Sequence, residues 1–466
     1  MKFMIRHAAL ASLSLSMLLS SLGTSIANVG LPTLAEVFSA SFQAVQWVVV
    51  AYLLAITALI VSVGRLGDLL GRRRLLLIGI TLFTAASVLC AIAPDLWLLI
   101  AARALQGIGA AIMMALTMAM VGEVVGKARM GSAMGILGTM SAIGTSLGPT
   151  LGGVLIAHAG WQGMFLVNVP LGLLAIALVY RYLPLDRREV RENRASFDTL
   201  GTLALVVTLL AYALAMTVGR GSFGPFNWAL LAVAVIGVGL FVIVEKTAPA
   251  PLVCLATLRD PLLGAGFAMS ALVTTVVMAT LVVGPFYLAG ALALDAPSVG
   301  LVMSSGPLMA ALTGVPAGRM VDRLGAHRSI NVGLIGMLVG SCCLPLVSTA
   351  FGVIGYVIPL MVMTAGYALF QAANNTAVMA NITPEQRGVV SGLLGLSRNL
   401  GLITGASVMG AVFAAAAAGT DILQASPYAI ATGMRVTFTV AAALVTLALA
   451  ISGLSHSLSP RQTHPC

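Results

Sequence analysis

The sequence reads as an all-helical membrane protein of 14 transmembrane helices: two parallel six-helix repeats with a helix pair inserted between them. Three observations predict this. Of 466 residues, 59% are hydrophobic and 8% charged. A soluble globular chain carries about 25% charged residues, and so few cannot cover a water-facing surface. The apolar residues form continuous runs of about 20, the length that crosses a bilayer as a helix, not the alternating pattern of a barrel strand. Finally, a basic motif and a series of glycines each occur twice, eight runs apart.

The charge-poor runs lie at 10–32, 44–64, 75–93, 96–120, 131–156, 164–183, 199–219, 228–246, 264–290, 297–317, 330–348, 353–375, 390–416 and 429–452. Fifty glycines and 19 prolines suit such helices, because both residues are more frequent in transmembrane than in soluble ones. With the N-terminus in the cytoplasm, alternation puts 20 of the 24 lysines and arginines inside. Arg220 and Arg435 fall at or near the outer side, and Arg103 and Arg398 within spans. Basic residues accumulate in cytoplasmic loops, so the asymmetry predicts the orientation. It also tests the count, since a missed span would scramble every later loop. The net charge of +10 therefore speaks of topology, not of nucleic acid. The cysteines (Cys90, Cys254, Cys342, Cys343, Cys466) show no C-x-x-C spacing, and neither a disulfide framework nor a metal site is expected.

GRLGDLLGRRR at 64–74 and GRMVDRLGAHR at 318–328 agree at six of eleven positions, including Asp68/Asp322 and Gly71/Gly325. Gly131, Gly135, Gly138, Gly144, Gly148 and Gly153 match Gly388, Gly392, Gly395, Gly401, Gly405 and Gly410 at nearly the same offset. Six helices, an extra pair and six more in the same orientation is the simplest arrangement, and it is a pattern of two-half transporters. The first half then covers 1–183, a cytoplasmic link 184–198, the inserted pair 199–246, the second half 247–453 and a cytoplasmic tail 454–466. Lys2, Arg6, the apolar stretch after them and Ser25-Ile26-Ala27 imitate a secretory signal. The repeat needs helix 1 as the mate of helix 9, so this segment is expected to be a retained span.

These motifs carry a resemblance. GRLGDLLGRRR is similar to the loop 2–3 signature of the major facilitator superfamily, Gly-x-x-x-Asp-x-x-Gly-Arg-Arg/Lys. ARALQGIGAA, Ala102 to Ala111, resembles its helix-4 motif with an intramembrane arginine, and GTSLGPTLGG, Gly144 to Gly153, its helix-5 antiporter motif. WQGMFLVNVPLG, Trp161 to Gly172, resembles the start of helix 6 in the fourteen-helix drug:proton antiporters. The resemblance covers nearly the whole chain. It implies a bacterial cytoplasmic-membrane exporter with both termini inside, acting as a monomer on small molecules. It implies no cofactor, the proton gradient being the energy source.

The motif residues have two readings each. In the loop of Gly64, Arg65, Asp68, Gly71 and Arg72, a carboxylate near the bilayer edge pairs with arginines and a helix N-terminus. A pair made in one state and broken in another biases alternating access. The resemblance implies such a latch, echoed at Asp322, while Arg73 and Arg74 read as topological charges. Arg103 inside a span costs about 3 kcal/mol or more unless paired or wet, and shares a helix face with Gln106. It either faces a cavity, where the resemblance implies proton coupling or substrate recognition, or snorkels outward. Arg398, beside Asn399, poses the same choice, and Ser141 holds its place in the first half. Gly144, Gly148 and Gly152, with Gly153 and the helix-bending Pro149, offer close helix packing or a hinge and seal between halves.

Ser21, Thr24, Ser25 and Asn28 form a polar stripe on helix 1; Gln46, Trp47 and Tyr52 open helix 2; Gln371, Asn374 and Asn375 end helix 12. Each is a candidate for the substrate cavity, and helix–helix hydrogen bonding accounts for each as well. Many members of the resembling family carry Leu-Asp-x-Thr-x-x-Asn-x-Ala-Leu-Pro in helix 1. Here Leu22 to Pro32 reads LGTSIANVGLP, with Gly23 in the acid's place. None of the 14 acidic residues falls mid-membrane. The expected substrate is therefore neutral or anionic, with proton coupling through Asp68 or Glu123. Uptake or facilitated diffusion is the rival direction. A membrane enzyme would need a clustered nucleophile, base or metal set, which the few histidines and acids do not supply. Intact gate motifs argue against a transport-inactive sensor.

Overall fold

The computed structural model describes residues 2–125, 130–184, 199–218, 224–247, 261–346, 351–379, 387–417 and 425–458. Every regular element among them is helical, as a chain in lipid requires when it forms no closed barrel, because backbone groups there must be satisfied within the segment. The first half comprises α1 (Lys2–Val29), a short α2 (Leu31–Val37), α3 (Phe42–Leu70), α4 (Arg72–Ala91), α5 (Leu96–Val125), α6 (Met130–Leu166) and α7 (Asn168–Tyr182). The inserted pair is α8 (Thr199–Thr217) and α9 (Pro225–Thr247). The second half comprises α10 (Pro261–Gly290), α11 (Ala296–Met303), α12 (Ser305–Leu324), α13 (Ala326–Leu346), α14 (Gly352–Met379) and α15 (Arg387–Thr404). A π-helical turn, Gly405–Met409, continues α15 into α16 (Gly410–Ala416), and α17 (Pro427–Leu458) follows. Helix α17 carries the last span five residues into the predicted tail. The link predicted over 184–198 lies outside the described residues apart from Pro184.

Thirteen stretches among the described residues are long and apolar enough to cross a bilayer, one fewer than predicted. The difference lies at Ile143–Tyr182, a single apolar stretch of 40 residues. At 1.5 Å per residue a straight helix of that length would run about 60 Å, twice the hydrocarbon core. The chain instead breaks at Gly160 (φ 70, ψ 177), and α6 and α7 both pack on α1.

Within the first half α1 packs on α5, α6 and α7, and α5 on α3 and α4. The second half repeats the scheme, with α10 on α14, α15 and α17, and α14 on α12 and α13. Serines in α1 bond back to their own helix: Ser12 to the Ala9 carbonyl, Ser16 to that of Ser12 and Ser20 to that of Met17. The two copies of the basic motif share one local structure. Gly71 ends α3 at φ 93 and Gly325 ends α12 at φ 81. Each donates its N–H back into the preceding helix, to Gly67 and Val321. This positive φ costs other residues roughly 1–2 kcal/mol, which explains glycine at both places.

Candidate functional site

Inner and outer denote the cytoplasmic and opposite sides that the charge asymmetry predicts. The two glycine series divide the work between packing inside a half and contact between halves. A methyl group on Gly144 would sit 2.5 Å from the Leu18 carbonyl oxygen, and one on Gly152 3.0 Å from that of Ile26. These glycines, with Gly148 against Ser25, press α6 onto α1. Gly401 and Gly405 press α15 and the π turn onto α10 in the same way, at Ala271 and Thr275. The last glycine of each series does something else. Gly153 meets the opposite half, its methyl position 2.6 Å from the Ala296 carbonyl and 3.1 Å from Gly300 Cα. Gly410 lies against the Gln46 amide of α3 so closely that any side chain would collide with it. The stripe of Gly144, Gly148 and Gly152 is thus packing within the first half, while Gly153, with Pro149 and Thr150 beside it, meets the second.

The contacts between halves gather at the outer ends. Gln46 Nε2 donates to the Ala406 carbonyl in the π turn (2.9 Å), and Thr150 bonds Ser304 between α11 and α12. The Phe42 ring packs edge-on against Phe286 at 4.6 Å and tilted against Phe413 at 5.4 Å. From mid-depth inward in the second half, methyl groups on Gly314 and Gly318 of α12 or Gly395 of α15 would meet no described heavy atom within 4 Å. Gly300 of α11 touches α6, while Gly314 and Gly318 of α12 have room for a side chain. The two halves thus meet at their outer ends.

Arg103 neither faces a cavity nor snorkels: it is fully buried inside the first half. Its Nε donates to the Val48 carbonyl (2.9 Å), Nη2 to the Gly23 carbonyl (3.0 Å) and Nη1 to Gln106 Oε1. The guanidinium lies 4.1 Å from the Tyr52 ring centroid. Gln106 passes the chain on to Ser87 Oγ (2.7 Å), and Tyr52 Oη donates to the Ser20 carbonyl (2.8 Å). Backbone carbonyls and a ring face thus hold the cation where an acid is missing. The acid's own place is filled, since a Cβ on Gly23 would lie 2.8 Å from Tyr52 Oη and 3.2 Å from the Phe83 ring.

The other predicted cavity residues separate by their bonds. Tyr52 and Gln106 are committed to the Arg103 network, and Asn374 Nδ2 to the Gly266 carbonyl (3.1 Å). Thr24 is half-buried and bonds the Ser20 carbonyl; Asn28 donates to that of Thr24, leaving its buried Oδ1 without a partner. Asn399 is buried, while Gln371 and Arg398 are half-buried. Asp322 is exposed. The side chains of Arg65, Asp68 and Glu123 lie outside the described residues. Sequence reasoning missed two features. Arg73 is more than a topological charge: it donates to the Tyr180 carbonyl and stacks over that ring at 5.5 Å, tying the loop to α7. Helix α8 rides along α3, bonded at Ser62–Thr202 (2.8 Å) and Trp47–Thr217 (3.0 Å), and reaches the second half through Tyr212–Thr404 (3.1 Å).

Two parallel helical halves that meet, among the described residues, through contacts at their outer ends have the architecture of a membrane transporter. The family model of the Major Facilitator Superfamily matches residues 13–406 and 266–464, and the chain belongs to that family. It is 32% identical over 396 residues to the multidrug resistance protein Stp of Mycobacterium tuberculosis, covering 84% of this chain and 72% of Stp. It is 29% identical over 396 residues to the riboflavin transporter RibZ of Clostridioides difficile, covering 85% and 86%. Among solved structures, the xylose transporter XylE of E. coli, partially occluded and inward open, superposes with a TM-score of 0.66 at 15% identity over 99% of both chains.

Proposed function

We propose that this transporter exports small hydrophobic molecules, neutral or anionic, across the bacterial cytoplasmic membrane in exchange for protons. Both termini then lie in the cytoplasm and the working unit is a monomer. The observation that carries the reading is the contact of the two halves at their outer ends, through Gln46–Ala406 and Gly153–Gly300, which fits a state that loads from the cytoplasm. The substrate class follows from position 23, where Tyr52 and Phe83 occupy the space of a cation-binding acid. The name of the mycobacterial relative supports drug export. That of RibZ supports a second reading, transfer of a metabolite, in which the same gate serves uptake. The driving force is worth about 2.3 kcal/mol per charge per 100 mV, plus the pH term, and Asp68 and Glu123 are the groups proposed to carry the proton.

The test is transport of charged and neutral compounds into everted vesicles, with and without a pH gradient. Accumulation of neutral or acidic compounds that collapses when the gradient is dissipated is expected, as is its loss in Asp68→Asn or Glu123→Gln. Gradient-independent equilibration would favour facilitated diffusion. Strong export of a quaternary ammonium dye that survives both substitutions would overturn the proposal.

A further inference from the structure

Arg103 and Arg398 are the cations the sequence places within spans, and the structure treats them oppositely. Every arm of Arg103 is committed to protein. Arg398 is half-buried, and its guanidinium makes no hydrogen bond or ion pair with any described residue. It sits 11 residues into α15, about 16 Å from the helix's inner end and so near mid-bilayer. A charge at that depth is expensive unless it meets an opposite charge or water. The acidic residues all fall at helix ends or in loops, so the protein sequence offers Arg398 no counter-ion at its own depth.

The direction of Arg398 is set by its neighbours. Ser397 Oγ donates to the Phe267 carbonyl, Thr274 Oγ1 donates to the Arg398 carbonyl (3.0 Å), and Gly401 is pressed against Ala271. Positions 397, 401 and 405 therefore face α10, and Arg398 is turned about 100° away. Tyr367 of α14 lies within electrostatic range of it, 12 residues from the inner end of α14 and so at the same depth. Gln371 follows one turn further along that face. Neither the Tyr367 hydroxyl nor the Gln371 amide is hydrogen-bonded to a described residue. Beside them is room, since a methyl group on Gly395 would meet nothing within 4 Å.

We propose that Arg398, with Tyr367 and Gln371, is the subsite that receives the carboxylate of an amphipathic organic anion. The guanidinium fork takes the two oxygens in parallel hydrogen bonds, and the hydroxyl and amide add donors at the edge. The partly buried Leu394 and Leu402 flank Arg398 along the helix and offer the apolar body a surface. The assignment rests on the export reading for its direction, but not for its chemistry.

The experiment uses the full-length protein in detergent, titrated with 2-naphthoate and with uncharged 2-naphthamide while thermal stability is followed. Naphthoate is expected to stabilise the wild type at lower concentration than naphthamide. Arg398→Gln should raise the naphthoate concentration required by roughly 10- to 100-fold, the worth of hydrogen bonds to a charged group, and leave naphthamide unchanged. Arg398→Lys should recover part of the loss. Equal naphthoate stabilisation of wild type and Arg398→Gln, or no carboxylate preference in the wild type, would overturn the subsite. The unliganded melting temperature and the naphthamide response separate binding from misfolding. Everted vesicles separate the two proposals. Carboxylate binding without gradient-driven accumulation sinks the export reading alone, and gradient-driven naphthamide transport without carboxylate preference sinks the subsite alone.

Discussion

Replacing Gln46 with leucine keeps the bulk of the side chain and removes the donor that the Ala406 carbonyl uses at the outer gate. Leaving a buried carbonyl unpaired costs about 1–3 kcal/mol. Gln46 Oε1 is itself buried without a partner, and leucine relieves that cost, so the lower part of the range applies, about 1–2 kcal/mol. The penalty falls on the outer-closed state, since separation of the halves exposes the carbonyl to water. A two-state equilibrium should therefore move toward outer-open by roughly 5- to 30-fold. Spin labels on a cysteine-free background at Glu36 and Tyr428, both exposed near the outer ends, report that shift as a longer distance population in proteoliposomes. Gly410→Ala should shift it the same way, because its methyl displaces the Gln46 amide. The double variant should add little, as both changes break one contact. An unchanged distance distribution in the leucine variant refutes the gate.

Three further outcomes follow from the packing. Gly23→Ala should destabilise the protein by about 1–3 kcal/mol through overpacking against Tyr52 and Phe83, read as a lower melting temperature; an unchanged temperature would show that the site has room for the acid after all. Arg103→Met should cost about 1–3 kcal/mol by removing the charge-assisted hydrogen bonds that tie the Val48 and Gly23 carbonyls to α5, and lower the amount of protein in the membrane; normal abundance with altered substrate preference would restore the cavity-facing reading. Gly325→Ala, forced to positive φ, should cost roughly 1–2 kcal/mol in chemical unfolding, and no change there would argue against the shared turn.

The halves were legible because their repeat is written in residues that a backbone geometry demands. Gly71 and Gly325 need positive φ, and the glycine series needs helices in near contact, so the sequence shows both directly. The break between α6 and α7 was less legible, because the loop there carries no Lys, Arg, Asp or Glu between Arg129 and Arg181 to mark a side of the membrane. The fate of Arg103 was not legible at all. Sequence states the cost of burying a guanidinium but not whether neighbouring helices aim carbonyls at it, since every residue has a carbonyl and none announces its direction. Gln46 stayed open between substrate contact and helix–helix bonding for a related reason: a polar side chain at an apolar helix start looks the same whether it meets a substrate or a π turn.

The repeat also shows where the halves stopped being equivalent. Gly153 and Gly410 occupy matching positions and both touch the opposite half, but their seals differ in kind. At Gly153 backbone lies on backbone, a contact that depends on smoothness and is lost to a side chain on either helix of the pair. At Gly410 the partner is an amide donating to a carbonyl, a directional contact that breaks over a small displacement. Helix α8 is bonded near both ends to α3, the helix that carries that amide, and once to α15 on the other side. It should therefore travel with the first half when the directional seal opens, so that Tyr212–Thr404 breaks with Gln46–Ala406 while Ser62–Thr202 and Trp47–Thr217 persist. A disulfide locking α8 to α3 should then leave transport intact, and one locking α8 to α15 should stop it; the reverse pattern would assign the inserted pair to the second half.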